Sequence, residues 1–217
     1  SKAAADYVCD GTNAEVEVQP AIDSISANGG KVILSEGTFY ISSSIIIKSH
    51  TTLEGMGMYS TRLMNTKDIE ILTTLGVVGE VYQDIVIRDI YFYNPSTTGT
   101  TITKYHIHII NPLNVRVIAC KFYMNILLTS DVGGIKVTRN HDDSYLFYVD
   151  SCYLGYCSVD LGVSDCKIIN SDILGHKRSF SVKMIKNNLS LIGNNISTSP
   201  VSGGIYLPTV SLSHKII

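Results

Sequence analysis

Six aspartates crowd the middle of the chain: Asp142, Asp143, Asp150, Asp160, Asp165 and Asp172. Two carboxyl groups about 5–5.5 Å apart cleave a glycosidic bond with retention, and two about 6.5–9.5 Å apart cleave it with inversion. His141 sits beside Asp142-Asp143, and His176 is followed by Lys177-Arg178. A histidine next to acids can act as a general base or bind a metal, and a basic cluster can meet an acidic sugar. Aspartate also favours turns, so the same residues read equally as solvated turns. If the chain is catalytic, the set expected to carry the chemistry is Asp142, Asp143, Asp150 and His176. His106 and His108 alternate within Tyr105-His106-Ile107-His108-Ile109, which puts both on one side of a strand. No third ligand accompanies them, so neither a metal nor a cofactor is expected. Thirteen tyrosines and no tryptophan complete the inventory. Tyr91 and Tyr153, with Lys177 and Arg178, form the expected substrate-binding set, since an aromatic face with a polar tip suits a sugar ring or a protein surface.

The elements that must position these groups follow from composition and repeat. The 217 residues suit one domain, and 45% hydrophobic against 17% charged residues excludes a disordered chain. A net charge of −2 leaves no basic surplus to displace counterions from a phosphate backbone, so nucleic acid is not expected as a partner. No apolar run approaches the roughly 20 residues that span a bilayer, so membrane insertion is not expected either. Gly55-Met56-Gly57 and Gly133-Gly134 lack the context of a phosphate loop and read as turns. Five cysteines argue against a closed disulfide framework, and Cys120 and Cys166 are expected to be buried and unpaired. Ser1 to Ala5 carry no signal-peptide pattern, and the apolar strand Ser211 to Ile217 reads as an uncovered edge, so more chain or a partner is expected around this segment.

One pattern recurs: apolar, any, apolar, two residues, a slot residue, any, apolar. It starts at Ile85, Val115, Phe147, Leu161 and Leu189, with spacings of 30, 32, 14 and 28 residues. Alternation marks a strand, and the two skipped residues mark a bend into a second strand. Such bends are the corners of a solenoid, whose stacked coils place Cys120, then Cys152 or Cys166, then Asn194 in one internal ladder. The spacing of 14 is too short for a full coil, so the copy at 147 or the copy at 161 must lie on another face. Tyr91, Lys121, Tyr153 and Lys167 share the outward position after the slot, giving a lateral face of Tyr and Lys. A helix is expected over Val16 to Ala27, with Pro20 in its first turn and Asn28-Gly29-Gly30 as its stop. This reading divides the chain into an N-terminal segment with a capping helix, residues 1–30, and about six to eight coils over residues 31–217.

Asp6-Tyr7-Val8-Cys9-Asp10-Gly11-Thr12-Asn13, the helix, Gly29-Gly30-Lys31-Val32-Ile33-Leu34-Ser35-Glu36-Gly37-Thr38-Phe39-Tyr40-Ile41 and Ser49-His50-Thr51-Thr52-Leu53-Glu54-Gly55-Met56-Gly57 together resemble the start of the pectate-lyase-like superfamily. The resemblance implies an all-β fold, a right-handed parallel β-helix. That superfamily includes pectate lyases, polygalacturonases, epimerases, viral tailspikes and surface proteins, so it implies a fold before a chemistry. Against the polygalacturonase-like motifs, Asp142-Asp143 matches the acidic pair and Gly175-His176 part of the histidine motif. Asn170-Ser171-Asp172 resembles the Asn-Thr-Asp motif but follows the acidic pair instead of preceding it, and no Arg-Ile-Lys follows.

The function expected from this resemblance is a viral or phage tail appendage, a tailspike or tail fibre, that binds host surface polysaccharide and, if catalytic, depolymerises it. Its partner would be polysaccharide, its assembly a homotrimer, and its location extracellular or on the virion surface. A secreted polysaccharide lyase or hydrolase and a noncatalytic surface or adhesin module are the alternatives.

Overall fold

The computed structural model describes residues 6–95, 104–124, 133–140, 143, 145–174, 181–186, 188–197, 203–207 and 214–216. Its strands fall into three parallel sheets. The first sheet stacks Gly30–Ile33, Thr51–Glu54, Val86–Arg88, Pro112–Ile118, Tyr145–Asp150, Ser164–Ile169, Leu189–Ile192 and His214–Ile216, with Tyr82–Gln83 also paired to Pro112–Ile118. The second stacks Gly37–Ile41, Thr61–Asn65, Tyr91–Asn94, Lys121–Met124, Tyr153–Gly155, Asp172–Leu174 and Asn195–Ser197. The third stacks Ile45–Ile46, Leu72–Thr73, Ile107–Ile110, Gly134–Thr138, Ser158–Leu161, Val182–Met184 and Ile205–Tyr206. The chain visits the sheets in the order first, second, third, and repeats. Each visit adds one coil of a right-handed parallel β-helix, the hand that parallel crossover connections take.

Inward positions repeat in register, so like side chains stack. Val32, Leu53, Ile87, Val117, Val149, Ile168 and Leu191 form one column in the first sheet. Leu63, Phe92, Phe122, Leu154 and Ile173 form another in the second. Phe92 and Phe122 lie 5.0 Å apart with planes 7° from parallel. These side chains are almost wholly withdrawn from solvent, and each such burial contributes about 1.5–3 kcal/mol.

The corner between the first and second sheets is made by one residue in the left-handed region. Asp89, Ala119, Ser151, Asn170 and Gly193 hold φ between 49° and 62°. The N–H groups of Asp89, Ala119, Ser151 and Asn170 donate to the carbonyls of Ile118, Asp150, Ile169 and Ile192 in the next coil. The residue after the bend then points inward. Ile90, Cys120, Cys152, Ser171 and Asn194 occupy this slot, and several of them donate to the preceding coil. Cys120 Sγ reaches Ile87 O, Cys152 Sγ reaches Val117 O, and Asn194 Nδ2 reaches Ile168 O at 2.7 Å. Ser171 Oγ accepts from Cys152 N–H, and Asn194 Oδ1 accepts from Ser171 N–H.

The slot ladder decides between the copies at 147 and 161. Leu161 closes a third-sheet strand while Cys166 pairs with Phe147 and Leu189 in the first sheet. The copy at 161 therefore straddles a different corner. The bend of that coil is Asn170, and Ser171, not Cys166, takes the slot. Cys166 is an ordinary inward residue. Cys120, Cys152, Cys157 and Cys166 are buried, none in a disulfide, and burial pushes the Cys152 thiol up to about 12.

The helix is shorter than expected, Glu15–Asp23, with Pro20 in its interior. It ends where Ser24 Oγ takes the Ala21 carbonyl. Val18 and Ile22 are buried by it. Gln19 covers the open edge of the first coil directly: its amide oxygen accepts from Ile46 N–H at 2.7 Å and its amide nitrogen donates to Ile46 O at 3.1 Å. Glu15 accepts from Ser42 N–H and Oγ. Burial alone would raise the Glu15 carboxyl; the Ser42 hydrogen bonds outweigh it and hold it below the ordinary value.

A second left-handed series marks the start of the first-sheet strands: His50, Asp84, Asn114, Leu146, Asp165 and Asn188, with φ between 52° and 63°. Asn114 Nδ2 donates to Asp84 Oδ1, and Asn188 Nδ2 donates to Asp165 Oδ1. Only Leu146 in this series lacks a side chain suited to the conformation, which costs an L-residue roughly 1–2 kcal/mol. Leu146→Asn is expected to raise stability by about 1 kcal/mol, read as a higher urea midpoint at unchanged slope. An unchanged or lower midpoint would contradict strain at this corner.

Candidate functional site

Outward residues of the second sheet line up as the inward ones do, one rung about every 4.8 Å. One column runs Arg62, Tyr91, Lys121, Tyr153 and Asp172. Its neighbour runs Met64, Tyr93, Tyr123 and Gly155. The rings and cations interlock. Arg62 lies 4.8 Å from the centre of the Tyr91 ring and 5.6 Å from that of Tyr93. Lys121 Nζ lies 4.8 Å from the rings of both Tyr59 and Tyr91, and 5.5 Å from that of Tyr153. Tyr93 and Tyr123 are 6.1 Å apart, and Tyr123 meets Tyr156 edge-on at 5.7 Å.

Gly155 makes room for this arrangement. A Cβ there would lie 2.7 Å from Tyr123 Cδ2 and 2.9 Å from Tyr153 Cε1. With no side chain at that rung, the two rings come down against the sheet. Burial raises the phenols of Tyr123 and Tyr153 and pushes that of Tyr91 up to about 12. At neutral pH the strip thus presents aromatic rings, neutral hydroxyls that both donate and accept, and two cations set against the rings. These are the groups that hold a pyranose by stacking and by hydrogen bonds to its hydroxyls.

A second arrangement occupies the outer face of the third sheet. His108, Lys136, Asp160 and Lys183 stand on successive rungs. Tyr105 Oη donates to Asp160 Oδ2 at 3.4 Å, and Lys136 Nζ lies 5.5 Å from the centre of the Tyr105 ring. Burial, reinforced by the Asp160 charge, pushes the Tyr105 phenol up to about 12. Glu70 Oε1 is 3.8 Å from both His108 Nδ1 and Lys104 Nζ, and the neighbouring His108 ring, with the Lys104 charge, holds its carboxyl below the ordinary value. His108 Nε2 is 2.9 Å from Thr138 Oγ1.

Sequence reading located part of this. Tyr91 and Tyr153 share one column, with Lys121 between them, as the repeat implies. Lys167 does not join them. It pairs with Tyr148 in the first sheet, because the copy at 161 belongs to another corner. His106 and His108 do not share a side. The strand begins only at Ile107, and His106 turns into the core, where Nδ1 accepts from Gly134 N–H. Burial lowers its imidazole to about 4.

The acidic stretch is dealt out to different faces. Asp143 is exposed ahead of the strand Tyr145–Asp150, and Asp150 ends it, held by Ser151 Oγ at 3.0 Å. The length of that strand separates the two. Asp160 lies on the third sheet, Asp172 on the second, and Asp165 at the start of a first-sheet strand. Asp142, His176, Lys177 and Arg178 lie outside the described residues. Among the described residues no three His, Cys, Asp or Glu side chains converge to hold a metal, and no helix is long and apolar enough to cross a membrane. Arg62, Tyr93, Tyr123, Glu70, Tyr105 and Lys136 were not singled out for a site from the sequence. The spacing of 30 residues between Tyr93 and Tyr123, the same as between Ile85 and Val115, was the signal available for that pair.

Three parallel sheets and the left-handed corners make this architecture a right-handed parallel β-helix, with the helix Glu15–Asp23 against its first coil. No family model matches the sequence, and no curated protein matches it. Among solved structures it is similar to the A-module of the Azotobacter vinelandii mannuronan C-5 epimerase AlgE6, at 15% identity over 87% of this chain and 74% of that one, with a TM-score of 0.42. The AlgE4 A-module from the same organism is 15% identical over 87% of this chain and 75% of its own, with a TM-score of 0.36. ORF18 of Geobacillus virus E2 is 16% identical over 84% of this chain and 56% of its own, with a TM-score of 0.34.

Proposed function

We propose that this chain is a carbohydrate-directed β-helix that holds a polysaccharide along the strip on its second sheet. The observation that carries the reading is the in-register column of Tyr91, Lys121 and Tyr153, flanked by Tyr93 and Tyr123 and opened by Gly155. A pyranose chain running across the strands meets one rung per sugar, with the rings beneath it and the hydroxyls beside it. The biological setting proposed is a viral or phage tail appendage, extracellular or on the virion, recognising host surface polysaccharide. That setting follows from the resemblance of the opening segment to a superfamily that includes tailspikes. Such an appendage is proposed to be a homotrimer. Sedimentation equilibrium should then give about three chain masses, and a monomer would count against this assembly.

The binding test is titration calorimetry against a panel of polysaccharides. Tyr91→Ala and Tyr153→Ala should each weaken binding of the polysaccharide that the native chain takes up by about tenfold, the loss of roughly 1.4 kcal/mol of stacking. Melting temperatures serve as the folding control. Unchanged affinity in both variants would overturn the strip as the binding face.

A second reading, depolymerisation, is favoured by the third-sheet group, where an acid, a phenol and a cation meet on adjacent rungs. Asp160→Asn and Tyr105→Phe should then each reduce release of oligosaccharide ends at least a hundredfold. The rival proposal of catalysis at Asp142, Asp143, Asp150 and His176 requires instead that Asp142→Asn with Asp143→Asn abolish it. Full activity in all three variants would leave a binding module.

A further inference from the structure

We infer that the second-sheet strip takes an anionic polysaccharide whose acidic groups recur on every second sugar. The inference rests on the saccharide reading above and adds the charge pattern of the ligand. Arg62 and Lys121 stand two rungs apart in one column, with Tyr91 between them and Tyr153 following. The column therefore alternates cation, ring, cation, ring. One rung, about 4.8 Å, is close to the length that one pyranose adds to an extended chain. Sugars laid one per rung would place alternate residues over Arg62 and Lys121, and the residues between them over Tyr91 and Tyr153.

Neither cation has a carboxylate partner among the described residues. No ion pair involves Arg62 or Lys121 among the described residues, and Arg62 Nε is buried without a hydrogen-bond partner. Arg62 and Lys121 are each only half-buried, and a cation with no carboxylate against it can pair with a carboxylate or sulfate of a ligand. The next rung after Tyr153 is Asp172, an exposed carboxylate that repels a third acidic group. The strip thus favours two acidic sugars flanking one stacked sugar, and then a sugar without an acid beyond Tyr153.

Titration calorimetry on the full chain tests this with three octasaccharides. A hyaluronan octamer carries a carboxylate on alternate sugars, its carboxyl-reduced form carries none, and a galacturonate octamer carries one on every sugar. The hyaluronan octamer should bind at least tenfold more tightly than either of the others. Arg62→Gln and Lys121→Gln should each remove about tenfold of that affinity and weaken the carboxyl-reduced octamer by a clearly smaller factor. Salt at 0.5 M should erase most of the difference, as expected for charge pairing. Should Arg62→Gln unfold the chain, Lys121→Gln at the open rung carries the test alone. Equal binding of the reduced octamer, or no effect of Lys121→Gln, would overturn the inference and leave the saccharide reading in place. Tighter binding of the galacturonate octamer would overturn the alternation. Failure of all three octamers in titrations where another polysaccharide binds overturns the inference alone; failure of every saccharide overturns both.

Discussion

The structure depends on one backbone residue per coil held in the left-handed region at the corner between the first and second sheets. That residue turns the strand sharply without a loop, so nothing absorbs a slip in register. Its N–H bonds to the coil above, and the residue after it points inward and in several coils bonds to the coil below. Every column on the adjoining faces inherits its alignment from this corner. The number of residues between second-sheet and third-sheet strands varies from coil to coil, and the corner restores the register after each one. Where the corner is replaced by the longer turn from Gly55 to Ser60, the extra residues bring Tyr59 out over Lys121.

The fixed corner explains why the aromatic strip lies on the second sheet. Strands leaving an invariant bend start at the same phase in every coil, so outward positions two and four residues beyond it recur in line. Tyr91, Lys121 and Tyr153 are the first of these, and Tyr93, Tyr123 and Gly155 the second; Arg62 and Met64 join the same two columns after the longer turn. The third sheet is reached through connections of different lengths. Its outward row mixes His108, Lys136, Asp160 and Lys183, each tied to different neighbours. A face built for repeated contact and a face built from individual charges therefore share one rod. The first suits a repeating ligand, and the second suits local proton transfer.

Much of the fold was legible because the corner leaves a mark in the sequence. Two skipped residues between alternating apolar runs located the bends at Asp89, Ala119, Ser151 and Gly193. The bend at Asn170 escaped because its slot residue is Ser171, while Leu161, Val163 and Cys166 happen to satisfy the same pattern across a neighbouring corner. That copy put Lys167 on the wrong face and left Cys166 as an alternative to Cys152 in the ladder. The site was less legible. Tyr91 and Tyr153 followed from the repeat, but Arg62 lies before the first copy, and Glu70 and Lys104 meet His108 only after a full coil has closed. Sequence distance is also a poor guide to which aspartates share a face. A coil of about twenty residues sends Asp150, Asp160 and Asp172 to different faces. His106 shows the same limit at one residue: alternation predicts its side only if the strand has already begun.

Hydrogen exchange on the full chain, with and without a bound polysaccharide, tests the central claim most directly. Ligand-dependent protection is expected at the amides of residues 59–64, 91–94, 121–124 and 153–156, in one band across the second sheet. Protection confined to residues 107–110, 134–138 and 158–161 of the third sheet would contradict it, because the ligand would then sit on the charged row and the tyrosine column would be only a packed surface.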